Sequence, residues 1–421
     1  MDIVSLVVFL VIIILAFLRK INLGVLAFAV ALILGRVMGI SDKEVVKGLS
    51  SSLFVTLAGI TLLFSAVSAT GVLDMISKKV IALAGKKIWV FPIAMYLLGL
   101  TLSVIGPGAV APTTLIVTLC VSIAIASGYN PLMMSIIGAS GLMGGRVTAI
   151  TPEGTLVSSL AAEQGITSGV LLPVFAFQVI TTALFAIMLF FAFKGHKVKA
   201  TALDAVVSED VKITKNQIIA LIGIFVMIVL VTAFKIDAGL CSFAIAGILF
   251  LLNVVEDSSS IKGMPWGTIL MILGVGVLMN IIQLAGGIDL LCDTLASFMT
   301  KSSAAPLTGI TAAVMSLVSS GLGVVYPTLV PMATQLAESV GGASPVALIA
   351  AIISGGSLAG FSPMSTCGAL TLSSTVAIKK DLTKAEQNKM FMQLLAIALC
   401  SIIWVGISSA LFSNLCVALF S

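Results

Sequence analysis

The chain has 421 residues, 59% of them hydrophobic and 9% charged, with a mean hydropathy of +1.24. Globular domains carry roughly 45–50% apolar and about 25% charged residues, so a cytosolic enzyme, a secreted disulfide scaffold and a disordered binder are excluded and a polytopic membrane protein remains. The net charge of +5 is dispersed, with no basic cluster among aromatics and hence no sign of a nucleic-acid partner. The six cysteines stand singly in apolar surroundings, which predicts buried hydrophobes and no metal site or disulfide framework.

The first apolar run follows Met1 and Asp2 directly, and its positive charges, Arg19 and Lys20, come after it. That order is the reverse of a signal peptide and predicts a retained first span. Breaks at charge and at Gly/Pro clusters leave apolar segments near 3–18, 22–39, 53–71, 89–105, 109–127, 131–142, 155–163, 169–193, 216–234, 238–254, 266–287, 305–319, 324–340, 344–358 and 390–417. A spanning helix needs about 20 apolar residues. The pieces 131–142 and 155–163 are too short to cross, and they read as halves of one helix broken by the glycine-rich stretch between them. Segments 89–105 and 109–127 are separated only by Gly106, Pro107 and Gly108, a turn too tight to pass through a headgroup layer and return. This predicts a re-entrant hairpin with its tip inside the membrane.

The expected plan is a scaffold of N-terminal spans over 1–52 and a first repeat over 53–193, with its hairpin at 89–127 and its broken helix at 131–163. A linker over 194–215 leads to a second half over 216–421, with a hairpin at 305–340, a broken helix at 344–378 and a last span at 390–417. Lysine and arginine set the orientation. With the 194–215 loop cytoplasmic and both termini outside, sixteen of the 22 basic residues fall inside and five outside, and Arg146 is left within the membrane. His196, the sole histidine, lies in the basic loop, where a solvated positive-inside segment accounts for it without a catalytic or metal role.

A self-match between the halves carries the chemistry. GPGAVAPT, Gly106 to Thr113, aligns without gaps to GLGVVYPT, Gly321 to Thr328. Each copy is followed by a second glycine-rich break, Gly141 to Thr155 and Ser357 to Thr366, in which TPEGT (Thr151 to Thr155) is matched to SPMST (Ser362 to Thr366). A weaker echo, ATGVL from Ala69 against AGGID from Ala285, precedes both hairpins. On this layout the hairpins enter from opposite sides, so the fold class is an all-α polytopic membrane protein of two inverted repeats, each with a re-entrant hairpin and a broken helix. Secondary transporters are built this way. Unwound backbone is tolerated at membrane depth only where it lines a cavity, so four such breaks imply one polar cavity.

Free N–H groups at helix starts favour an anion there. The hydroxyls of Thr113, Thr151, Thr155, Thr328, Ser362, Ser365 and Thr366 can add hydrogen bonds, and the tips offer the backbone of Gly106, Pro107, Gly108, Gly321, Leu322 and Gly323. Carbonyls at Gly106, Gly108, Gly144, Gly321, Gly323 and Gly360 are hard ligands suited to a small cation such as Na+. Simple helix packing through small residues is the alternative, but it leaves the adjacent, duplicated prolines unexplained. Arg146 and Glu153 are too costly to face lipid. Arg146 either grips a substrate carboxylate or pairs with Glu153, and Glu153 can alternatively carry a proton. Asp74, Asp289 and Asp293 fit solvated interfacial faces.

At these motifs the sequence resembles the ion transporter superfamily, specifically the divalent anion/sodium symporter (DASS) family and the MatC-type malonate/C4-dicarboxylate carriers. The Gly106–Gly108 and Gly321–Gly323 tips fall where the symporters have Ser-Asn-Thr, and Pro331 aligns to the family's proline further along the second hairpin. TPEGT and SPMST fall at the broken-helix loops, and Met264 to Leu278 resembles the symporters' Pro-Trp-Gly span. The resemblance implies a homodimer whose fixed scaffold carries a mobile transport domain in an elevator motion. It also implies a small dicarboxylate between the tips, sodium or protons as coupling ion, no other cofactor, and a bacterial inner-membrane location. Neither tip has Ser, Asn or Thr in those places, so only backbone contacts carry over; MatC-type proteins have glycine-rich tips of this kind.

Other readings are a carrier of inorganic oxyanions or monocarboxylates, an ion antiporter of the same superfamily, a passive channel, and a membrane-embedded hydrolase. GASG, Gly138 to Gly141, matches a rhomboid-type nucleophile pattern, but that chemistry needs an intramembrane histidine.

Overall fold

Leu, Ile, Val and Ala in long uncharged runs leave a backbone in hydrocarbon no partner but itself, so each run folds as a helix. The computed structural model describes residues 1–19, 21–76, 79, 89–106, 108–109, 112–198, 213–363, 365–379 and 382–420, and every regular element among them is helical. Five segments are long and apolar enough to cross a membrane unaided.

The first half runs α1 (Asp2–Arg19), α2 (Leu23–Val37), the short α3 (Asp42–Lys47) and α4 (Ser51–Ala69). It continues with the hairpin arms α5 (Val90–Val104) and α6 (Thr113–Ser127), the broken helix α7 (Pro131–Gly145) and α8 (Pro152–Ala162), and α9 (Leu171–Ala192). The second half repeats the series: α10 (Lys215–Thr232), α11 (Ala238–Leu251), α12 (Asp257–Lys262), α13 (Trp266–Leu284) and the amphipathic α14 (Gly287–Ser297). Its hairpin pairs α15 (Ala304–Val318) with an irregular helical arm from Gly321 to Ser339. The broken helix α16 (Pro345–Leu358) and α17 (Thr366–Ile378) follows, then α18 (Lys384–Phe420). At 1.5 Å per residue α18 is about 55 Å long. It begins earlier than its apolar stretch because Glu386 accepts from the Thr383 backbone N–H at 2.8 Å while the Thr383 hydroxyl caps Glu386.

The caps place the two halves in register. Asn22 caps α2 and Asp237 caps α11. Gly24 and Gly239, Gly59 and Gly274, the left-handed Gly71 and Gly286, and Gly106 and Gly321 all stand at one constant separation along the chain. After the hairpins that separation shortens by one residue, giving Asn130 with Ser344, Thr151 with Ser365 and Gly154 with Gly368. The spacing therefore extends the duplication back into residues 1–52.

Two of the three sequence matches need a new register. The weak echo pairs Gly71 with Gly286, one residue from the expected Gly287. In the broken helices Thr151 corresponds to Ser365 and not to Ser362: each hydroxyl accepts the N–H three residues on and bonds back to a carbonyl, Arg146 in one half and Gly360 in the other. The prolines stand differently in the two loops: Pro152 follows its cap, Thr151, while Pro363 precedes its cap, Ser365. The tip match stands as expected, with the Thr113 hydroxyl on the Ala109 carbonyl and that of Thr328 on the Val324 carbonyl at 2.7 Å.

Close glycine crossings hold the halves together. A Cβ on Gly24 would overlap the Leu270 carbonyl and one on Gly274 the Gly24 carbonyl, where α2 crosses α13; Gly59 and Gly239 do the same where α4 crosses α11. Overpacking such a site costs about 1–3 kcal/mol. Gly274→Leu is expected to lower the thermal unfolding midpoint in detergent by several degrees. Gly276→Leu, whose added Cβ meets nothing within 4 Å, is expected to leave it unchanged.

Candidate functional site

Hairpin tips and helix breaks meet at a cavity of about 410 Å³. Ala109 and Thr113 come from the first tip, Ser320, Gly321 and Leu322 from the second, and Arg146, Gly360, Ser365, Thr366 and Cys367 from the breaks. Ile13, Ala16 and Leu23 of the α1–α2 region, with Thr268 and Met271 of α13, close the opposite wall. Pro107 lies outside the described residues. Its neighbour Gly106 packs against the Phe64 ring, and Leu322 lines a small void together with Phe64, so both tips end beside one mid-span residue of α4.

Arg146 is the one charged side chain on the wall among the described residues, and it is 5% exposed. Its Nη2 lies 3.1 Å from Glu153 Oε1, and its Nη1 donates to Ser357 Oγ at 3.2 Å. The guanidinium carbon sits 5.6 Å from the centroid of the Tyr326 ring, a cation–π contact. Nε has no hydrogen-bond partner among the described residues. A buried ion pair is weak evidence of stabilisation, since two desolvated charges consume most of their attraction. Buried in a largely apolar chain, the pair is instead a candidate functional site.

Glu153 is wholly buried in the first turn of α8, behind Arg146, and does not line the cavity. Its Oε1 also accepts the Ala109 N–H at 3.1 Å, so the carboxylate acts as a resident anion at the first tip. The equivalent position in the second half is Cys367, a neutral side chain on the cavity wall. The first residues of a helix have no intrahelical acceptor for their N–H groups. Around Cys367, the starts at Gly321–Leu322 and Thr366–Cys367 bring such donors to the wall, and the Ser320 hydroxyl, which accepts the Gly323 N–H at 3.1 Å, keeps its own proton for a ligand.

Several expected contacts lie elsewhere. The Thr151 hydroxyl caps α8, that of Thr155 donates to the Pro152 carbonyl at 3.0 Å, and Ser362 is buried off the cavity, so these three build the loops and do not face the site. Gly108 lies against the Glu153 carboxylate and Gly323 against Met271. A Cβ on Gly144 would meet Thr182 and Tyr96, and the Gly360 carbonyl accepts the Ser365 hydroxyl. Conversely, Ser357, Tyr326 and Gln178 were not anticipated. Ser357 Oγ is a hub that accepts from Arg146 and from the Gln178 amide at 2.9 Å, donates to the Ile353 carbonyl at 2.6 Å, and lies 2.9 Å from the Tyr326 hydroxyl. The signal was present: Gln178 is the only amide in the apolar run of α9, and Tyr326 interrupts the repeated tip motif with a hydroxyl.

Residues 1–146 match the family "Dicarboxylate carrier protein MatC N-terminus". The match ends at Arg146. The fold is similar to that of the YdaH transporter of Alcanivorax borkumensis, described as having an unusual topology, with a TM-score of 0.60 at 12% identity over 96% of this chain and 98% of that one. No curated protein matches in sequence. The chain is thus similar in sequence over its first third to the dicarboxylate carrier MatC, and over nearly its whole length it has the fold of a membrane transporter.

Proposed function

We propose that the chain is a secondary active transporter, not an enzyme, that carries a small organic anion across the bacterial cytoplasmic membrane by alternating access. C3 and C4 dicarboxylates are the leading substrates, and a sodium or proton gradient drives them. One observation carries the reading: among the described residues the one charged side chain on the cavity wall is a buried arginine whose Nε has no hydrogen-bond partner, on a wall that also holds the Thr366–Cys367 helix start. A guanidinium fits a carboxylate in two-point contact, and the volume suits a small ligand.

The cavity is a seam between the hairpins and broken helices on one side and α1, α2 and α13 on the other. Sliding one group past the other is an elevator motion, with the apolar outer faces of the scaffold free for lipid and for a second copy of the chain. With the 194–215 loop cytoplasmic and both termini outside, the α1–α2 turn at the cavity mouth faces the cytoplasm. Sodium, where it is the coupling ion, has tip carbonyls near Gly106, Gly108, Gly321 and Gly323 as ligands.

Malonate, succinate or malate is expected to raise the unfolding midpoint of the purified protein, because a ligand at about 100 times its Kd adds about 2.7 kcal/mol to the folded state. In proteoliposomes, unlabelled anion inside is expected to accelerate entry of labelled anion. Entry without such trans-stimulation is the behaviour of a pore and would exclude a carrier.

A further inference from the structure

The Arg146–Glu153 pair has no net charge, yet the proposed cargo is a dianion. Glu153 meets few groups that can compensate. Among the described residues its Oε1 takes both Arg146 and the Ala109 N–H, while Oε2 has no hydrogen-bond partner and lies against Gly108. The elements packed most extensively on α8 are α4, α9 and the Val330–Met332 turn, and none carries an ionisable side chain. Among the described residues, Arg146 and Tyr326 are the ionisable groups that interact with this carboxyl.

We infer that Glu153 is a proton-binding site thermodynamically coupled to anion binding at Arg146, so that the cargo and one proton bind together. This rests on the anion-carrier reading above. A carboxylate arriving at Arg146 must share one guanidinium with Glu153, and two anions compete for its donors unless one of them takes a proton. The proton comes from solvent and settles on the carboxyl, where Oε2 is the unclaimed oxygen. Arg146 is then released from its ion pair and turns its donors to the cargo. Coupling of this kind is reciprocal: protonation of Glu153 strengthens anion binding by the same factor by which the anion strengthens protonation. The second half, with Cys367 in place of Glu153, offers no such group, so the expected stoichiometry is one proton per site.

The test is calorimetric titration of malonate into the full-length protein in sodium-free Tris and in sodium-free HEPES, two buffers with different heats of ionisation, above about pH 7 where malonate stays a dianion. Uptake of a proton from the buffer, approaching one per malonate, is expected, with Kd weakening by up to about tenfold per pH unit on the alkaline side. Glu153→Gln, a permanently neutral mimic, is expected to bind malonate at about pH 8.5 at least tenfold more tightly than the parent and without buffer-dependent heat. Identical heats in both buffers together with a pH-independent Kd in the parent protein would overturn the inference, as would binding that needs sodium and takes up no proton. Those readings need no variant to fold. Failure of malonate and succinate to bind at any pH, with or without sodium, would overturn the anion-carrier reading itself.

Discussion

Arg146→Ala is expected to weaken anion binding by about 100-fold and to destabilise the protein by about 3–5 kcal/mol, two losses with separate causes. The first is removal of the one cation on the cavity wall among the described residues, where a hydrogen bond to a charged group is worth about 1.5–3 kcal/mol. The second is the exposure of Glu153, 0% accessible, as an unpaired buried charge held only by the Ala109 N–H. The double substitution Arg146→Ala with Glu153→Gln separates them: unfolding measurements should show most of the stability restored, while binding stays lost. Arg146→Lys should recover little affinity, since one ammonium cannot span Glu153 and Ser357 and still present a flat donor edge to the cargo. Unchanged affinity in Arg146→Ala would make the pair purely structural.

Substitution at the tips is expected to be the other severe class, and the structure ranks the four glycines. Gly108→Val should abolish uptake at normal membrane expression. Its φ is +64°, a region β-branched residues rarely enter, and its Cβ would run into a Glu153 carboxylate already fixed by Arg146 and Ala109. Gly106, at φ +143° against Phe64, and Gly321, against the Gly356 carbonyl, should be nearly as intolerant because rigid groups stand in the way. Gly323→Ala meets the flexible end of Met271 and should keep most of its activity. Uptake normalised to surface protein decides this order. A Gly323 variant worse than Gly108→Val would refute the packing at the tips.

How much of this was legible in the sequence depended on what kind of signal each part leaves. The hairpin tips were readable because Gly106–Thr113 and Gly321–Thr328 share letters as well as geometry. The broken helices share only geometry. Their common feature is a capping hydroxyl, Thr151 or Ser365, with a glycine three residues later, and the more visible prolines drew the match three residues out of place. The α2–α13 and α4–α11 crossings went unread because a glycine at a helix crossing has dissimilar apolar neighbours in each copy, so only their constant spacing reveals the pairing. Arg146 and Glu153 stood out, as charges in apolar runs do, and the structure pairs them. Their third partner did not: Ser357 is one hydroxyl among many, and its importance comes from where Tyr326 and Gln178 fold to meet it.

The most direct test of the convergent-tip site is an experimental density map of the full-length protein with malonate bound. The expected density lies between the Ala109–Thr113 and Ser320–Leu322 segments, with one carboxylate in hydrogen-bonding reach of Arg146 and the other near the Thr366–Cys367 helix start. A map in which malonate is bound away from Arg146, or in which the two tips stand apart at opposite membrane surfaces, would contradict it.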